Sequence, residues 1–367
     1  MAYNMLATFG GVMSYVGYIL LAILVLLVMI TVHEFGHYIA GKIFGFGIEE
    51  FAIGFGPKIF KKTKKNGELF SIRLLPIGGF CAFKGEDKND DDPTAFNNKP
   101  WWQRIIVLAS GVFMNFLLAL TIIMLMFGVF GQSVIQVGKI ADSTEYTQEY
   151  SLQYADIILE ADGKNVYLIT DLIEVTNDKK AGEEIDFKVR RNGEDIDIKV
   201  KVRQDTDYKN LEDLDGLCSA LGIEKRGETY EVYSATVRFG FFQTIARGFE
   251  YAFVIAGAIF TVFRQLITGQ IGMKSLGGVV TTVTTTAEAV KVGGFRYLLD
   301  ISAFIGVNLA IFNLLPIPAL DGSRIIFTAI EGITKKPLPR KVEAIIHTVG
   351  LVLLLLFTVF VDLQRCF

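Results

Sequence analysis

The chain has 367 residues, 51% hydrophobic and 20% charged, with 30 phenylalanines and a positive mean hydropathy. This composition indicates a membrane protein, and the charged fifth excludes one wholly embedded in lipid. A formal net charge of -3 offers nothing to a nucleic-acid partner, and Cys81, Cys218 and Cys366 lack the spacing of a disulfide framework or a structural zinc site.

The apolar run from Tyr15 to about Ala40 is long enough to cross a bilayer, and near its end it carries His33-Glu34-Phe35-Gly36-His37. The first Lys or Arg is Lys42, so the run lacks the basic leader of a cleavable signal peptide and is expected to stay in the mature protein. Histidines four residues apart on a helix share a face and can reach one Zn²⁺. Glu34 beside the first of them is placed to take a proton from zinc-bound water and pass it to a leaving amine. Two of the chain's three histidines are spent in this motif, and ionisable groups inside a span are costly enough to mark function.

Lys58 to Phe83 alternates basic and apolar residues around Lys65-Asn66-Gly67, which predicts a β-hairpin. Its exposed edge would suit an unwound substrate strand, and its lysines would equally suit anionic lipid headgroups. A second span follows at Ile105 to Phe130, in which Asn115 is expected to hydrogen-bond between helices. Residues 136 to 203 predict a small β-rich domain with strands at Asp156–Glu160, Ile185–Val189 and Ile196–Val202 and one helix near Asp171–Thr176. Residues 204 to 236 read as a linker. Phe239 to Ile267 carries Arg247, Glu250 and Arg264 among its aromatics and is expected to lie in the interface, not to cross. Two further spans are predicted, about Ile301 to Pro318 and Ile345 to Val361. Lysines 58, 61, 62, 64 and 65 after the first span, and Lys335, Lys336, Arg340 and Lys341 before the last, put these loops in the cytoplasm and residues 131 to 238 outside.

Catalytic zinc takes three protein ligands, so one more is required. His347 opens the last span without a partner motif and suits a helix-end interfacial residue. Asp321 follows Asn313-Leu314-Leu315-Pro316-Ile317-Pro318-Ala319-Leu320, where two prolines stop a regular helix; in a membrane such a break is tolerated only under protein cover or beside a wet cavity. Asp321 is the stronger candidate, with a helix-capping carboxylate as its other reading. With four spans the first and third run the same way and the three groups share a depth. Were Phe239 to Ile267 to cross, the third span would be inverted.

The motifs His33 to His37, Gly54-Phe55-Gly56-Pro57, Arg73 to Phe80, Met114-Asn115-Phe116 and Asn313 to Gly322 occur in order through nearly the whole chain, which resembles the site-2 protease family of intramembrane zinc metalloproteases, in its bacterial RseP-like branch. The resemblance implies a polytopic α-helical membrane protein of four transmembrane helices, with a cytoplasmic membrane-associated β-hairpin and an inserted extracytoplasmic PDZ-like α+β domain. The corresponding segments are 1–57, 58–104, 105–131, 132–236, 237–297, 298–332 and 333–367. It implies His33, His37 and Asp321 as zinc ligands and Glu34 as the base, with Gly78 and Gly79 facing substrate and Asn313 either donating to the substrate backbone or oxyanion or tying together the two sides of its own proline-broken helix. The expected substrates are single-pass proteins of the lipid bilayer, such as anti-sigma factors or remnant signal peptides, already trimmed by a site-1-type protease that does not bind stably. The expected location is the bacterial plasma membrane, with both termini outside and the active site near the cytoplasmic face. Three features depart from the family pattern: Ala155-Asp156 replaces Gly-Asp before a domain strand, residues 143 to 151 lack Pro and Gly, and Leu276 to Val280 lacks the usual proline. A steric gate is therefore expected of the domain in place of a peptide-carboxylate groove.

The competing expectation is an inactive zinc-binding scaffold that captures helices, against which the intact Glu34 argues. A membrane-anchored protease acting on soluble peptides would hold its zinc motif in a soluble domain. A transporter would show an inverted repeat.

Overall fold

The computed structural model describes residues 2–86, 90–140, 152–177, 179–203, 214–226, 229–273, 276–336 and 339–366. Two compact units emerge, one made of residues 1–126 and 248–367 and the other of residues 127–247. The Pro- and Gly-poor stretch at 143–151 lies outside the described residues.

The first unit is helical around one coiled sheet. Helix α1 (Ala2–Ile43) ends at the left-handed Gly45 and leads into strands β1 (Ile48–Thr63) and β2 (Leu69–Phe83). The hairpin begins ten residues before the expected Lys58, because Gly54 and Gly56, both at positive φ, let β1 bend without ending. The bend gives the first part of β1 a neighbour on each side: Phe51 lies opposite Cys81 and also opposite Phe70, while Lys61 lies opposite Ser71. Four short segments result, ordered 79–82, 50–53, 69–72 and 60–63, with residues 79–82 at one edge. The turn at 64–68 is tied to α1 through Glu68, which accepts from Lys42, Lys64 and Asn66. Burial opposes the charge on Glu68, but these donors outweigh it and hold the carboxyl at about 2.

Helix α2 (Trp101–Phe130) packs closely against α1. A methyl group on Gly36 would come 2.4 Å from the Ser110 carbonyl oxygen, and one on Gly111 would come 2.6 Å from Nε2 of His37. Small residues at such a crossing let two apolar helices gain van der Waals contact where no hydrophobic driving force exists.

The second unit carries the sheet of β3 (Gln132–Val137), β4 (Ile157–Ala161), β5 (Lys164–Asn165), β6 (Glu184–Arg191) and β7 (Glu194–Lys201), with helix α3 (Ile169–Asn177). These match the expected strands and helix to within a few residues. The stretch read as a linker contributes instead, within its described part, helix α4 (Leu214–Leu221), the pair β8 (Lys225–Arg226) and β9 (Thr229–Tyr230), and the edge strand β10 (Val232–Val237). Leu217, Cys218, Ala220 and Leu221 are fully buried against Ile158, Phe187 and Val200. The acidic residues around this short apolar helix concealed its core-facing side. Strand order is β10-β3-β4-β6-β7, with β5 pairing β4. Ala155 has a φ of 67°, the left-handed region that favours glycine, and the buried Asp156 after it accepts two hydrogen bonds from Arg191.

Helix α5 (Phe241–Ile267), expected to lie in the interface, is long and apolar enough to cross a membrane. Among the described residues, five helices are this long and apolar: α1, α2, α5, α6 (Val279–Leu314) and α8 (Arg340–Cys366). Gly294, at a φ of 62°, breaks α6 internally. Beyond it, Tyr251 of α5 meets Asp300, and Phe263 meets Phe312, so α5 and this part of α6 run the same way. A span-length α5 does not invert α6, and the expected conflict with the depth of Asp321 does not arise. After helix α7 (Asp321–Thr334), α8 runs back along α6. His347 of α8 accepts from the Ala319 amide, and Asp362 accepts from the amides of Gly278, Val280 and Thr281.

Gly36→Ala is expected to lower the thermal midpoint in detergent by overpacking of about 1–3 kcal/mol, whereas Gly17→Ala, which meets nothing within 4 Å, should leave it unchanged. Equal midpoints for the two would mean that the helix crossing is not tight. Because the Glu68 pKa is lowered, its contribution is present above the ordinary carboxylate pKa of about 4.3 and is lost as pH falls towards about 2. At neutral pH, Glu68→Gln should speed tryptic cleavage after the hairpin lysines several-fold, and an unchanged rate would show that the ion pairs do not hold the turn.

Candidate active site

His33 and His37 stand one turn apart near the end of α1, each 7% exposed, with their Nε2 atoms 3.2 Å apart. Asp321, the first residue of α7, brings Oδ2 to 2.9 Å from His33 Nε2 and 3.4 Å from His37 Nε2. Among the described residues this is the set of three His, Cys, Asp or Glu side chains able to hold a metal ion, with ligand atoms within 4.8 Å of one another.

The turn that carries Asp321 follows from its sequence. Pro316 and Pro318 cannot continue α6 beyond Leu314, and Ala319 takes a left-handed φ of 81° before the chain enters α7. A side chain on Gly322 would come 2.3 Å from the Leu314 carbonyl oxygen, so only glycine lets α7 start this close to the end of α6. Two ion pairs hold α7 from other elements: Arg104 of α2 donates twice to Glu331, and Arg324 pairs with Glu86 after β2.

Helix α2 supports both imidazoles. Nδ1 of His37 lies 2.8 Å from the Val107 carbonyl oxygen, to which it donates, so its Nε2 faces the cluster with a lone pair. Nδ1 of His33 lies 3.3 Å from the Asn115 carboxamide. Two imidazole nitrogens and a carboxylate oxygen form a donor set that fits zinc and leaves one tetrahedral position open.

Glu34 is not part of this set. Its Oε2 accepts the Cys81 amide at 3.0 Å, so the carboxylate lies against the sheet edge formed by residues 79–82. Of the expected substrate-facing residues, Gly79 is beside Glu34, since a Cβ there would come 3.6 Å from Glu34 Cγ and 2.9 Å from the Ala52 carbonyl oxygen. Gly78 instead serves the backbone, with a φ of 93° and no room for a side chain against the Phe55 ring. Asn313 is half-buried on the last turn of α6, and among the described residues no hydrogen bond joins it to the cluster. A cavity of about 660 Å³ opens beside the site, lined by Glu34, His37, Phe80, Asp321, Arg324 and His347 among others.

Sequence reasoning missed the part played by His347, which is neither a ligand nor only interfacial: its Nδ1 accepts the Ala319 amide at 3.0 Å, bracing the turn before Asp321. No local signal pairs it with a residue 28 positions away.

Comparison with known proteins agrees with this geometry. Residues 21–357 match the peptidase family M50 model. A Clostridium perfringens protein whose name assigns it provisionally to the zinc metalloproteases is 33% identical over 95% of this chain and 98% of its own length. The zinc metalloprotease RasP of Bacillus licheniformis is 30% identical over 94% of this chain and 98% of its own. The regulator of sigma-W protease RasP of Bacillus subtilis is 28% identical over 92% and 96%. A paired-histidine and carboxylate cluster among apolar helices, and matches over nearly the full length, lead to one conclusion: the chain belongs to peptidase family M50, the site-2 zinc metalloproteases.

Proposed function

We propose that this protease hydrolyses peptide bonds within or beside the spans of single-pass membrane proteins, with His33, His37 and Asp321 holding the zinc and Glu34 as the catalytic base. The observation that carries the reading is the juxtaposition of Glu34 with the edge of a β-sheet on one side and the three-residue cluster on the other. When bound, zinc supplies Lewis acidity, acidifying water and polarising the scissile carbonyl.

A helical substrate hides its carbonyls in i to i−4 hydrogen bonds, so it must unwind before it can be cut. The edge at residues 79–82 offers replacement partners by β-augmentation. A substrate strand that takes the Cys81 amide also releases Glu34 from it, so the carboxylate becomes free to accept a proton as the peptide is seated. Glu34 then returns the proton to the leaving nitrogen. Gly79 keeps the edge low enough to approach Glu34, and Gly78 sets the backbone that leads into it. Asn313, on the turn before the prolines, is proposed to donate to the substrate backbone or the developing oxyanion.

The basic hairpin and the basic loop before α8 support a site near the cytoplasmic face, with both termini and residues 131–238 outside. The outer domain resembles a PDZ domain in pattern and is proposed to act as a size gate that admits substrates already trimmed by another protease. The name of the Bacillus subtilis relative, regulator of sigma-W protease, supports membrane-bound anti-sigma factors as a substrate class, with remnant signal peptides as another.

Glu34→Gln in detergent should keep one equivalent of zinc and lose about 10²–10⁴-fold in cleavage of a tagged single-span substrate whose outer domain is truncated. A chelator should abolish the wild-type activity. Zinc bound at one equivalent with no cleavage by the unmodified protein would point to a capture scaffold. Introducing a Gly-Pro pair into the substrate span should raise the cleavage rate several-fold, whereas an unchanged or lower rate would contradict the unwinding step.

A further inference from the structure

Asn115 is 1% exposed at the middle of α2, in a span where an unsatisfied polar group is costly. Its Nδ2 lies 3.3 Å from His33 Nδ1, and its Oδ1, although buried, has no hydrogen-bond partner among the described residues. In this arrangement the amide donates to Nδ1, so the His33 proton resides on Nε2, where it bonds Asp321 Oδ2 at 2.9 Å. That tautomer cannot ligate through Nε2.

A half turn of the carboxamide exchanges Oδ1 and Nδ2 without moving the helix. The oxygen that lacks a partner then faces Nδ1 and accepts a hydrogen bond from the tautomer protonated there, whose Nε2 lone pair faces the cluster. His37 already has this arrangement, with the Val107 carbonyl as its acceptor. Resting on the assignment of His33 as a zinc ligand, we propose that Asn115 is a positioning residue for the metal site: its carboxamide oxygen accepts from His33 Nδ1–H in the loaded protein and fixes the tautomer that binds. Both histidines would then take their outer partner from α2, one from its backbone and one from its side chain. Asn115 thus does more than link two helices, for which its amide nitrogen would be the donor that matters.

Zinc affinity of the full-length protein in detergent, measured by competition with a chromophoric chelator, tests this without reference to activity. Wild type should bind one zinc and His33→Ala should lose it; if His33→Ala binds as wild type does, the ligand assignment itself fails, independently of Asn115. With that assignment secure, Asn115→Leu should weaken zinc about 10–100-fold, and Asn115→Asp, which keeps an acceptor and has no donor, should stay within about threefold of wild type. Unchanged affinity in Asn115→Leu would overturn the proposal. So would zinc loss from a folded Asn115→Asp, because a helix-linking donor is absent there while the acceptor remains, and this outcome decides the matter even where Asn115→Leu fails to fold.

Discussion

The close approach of α2 to α1 governs the candidate site. Gly36 and Gly111 have no room for a methyl group, and this contact brings the Val107 carbonyl and the Asn115 carboxamide to the two imidazoles of the preceding span. Polar groups placed among apolar helices have no water to fall back on, so each must find its partner in the bundle. The histidines meet the aspartate, the Val107 carbonyl and the amide nitrogen of Asn115 because backbone separation at the crossing is small. A side chain at either glycine would displace the groups that orient the two imidazoles.

Around this crossing, rigidity is distributed by polar contacts that tie distant segments together. Asp321 stands at the start of a short helix whose turn is braced by His347 and whose body is held by Arg104 and Arg324. Arg104 is buried, and leaving its charge uncompensated would cost about 3–5 kcal/mol, so its pair with Glu331 acts on the position of Asp321 as well as on stability. The hairpin is anchored in the same manner, with Glu68 gripping Lys42 at the end of α1 while the Cys81 amide meets Glu34. The three-residue cluster and the strand edge therefore belong to one framework.

Some of this was legible in the residues themselves. His33, Glu34 and His37 fall on one helix turn by their spacing, and the two prolines before Asp321 announce a broken helix at membrane depth. The turn at Lys65-Asn66-Gly67 and the alternation of the second unit's strands were equally local signals. Helix α4 was hidden because its eight residues lie next to an acidic stretch, and only their burial against Ile158 and Phe187 distinguishes core from linker. The crossing length of α5 was obscured by Arg247, Glu250 and Arg264, charges that reduce mean hydropathy without shortening the helix.

The sequence by itself determined the paired histidines, the glutamate beside them and the breaks that end each element, because these depend on chemistry and spacing within a few residues. Tertiary structure alone decided which groups meet across 288 positions to join His33 with Asp321, which carbonyl orients His37, and that α5 runs parallel to the end of α6. The direction of a span relative to another is a property of how the whole chain returns across the bundle. No local pattern encodes it, since hydropathy is the same read in either direction through the membrane.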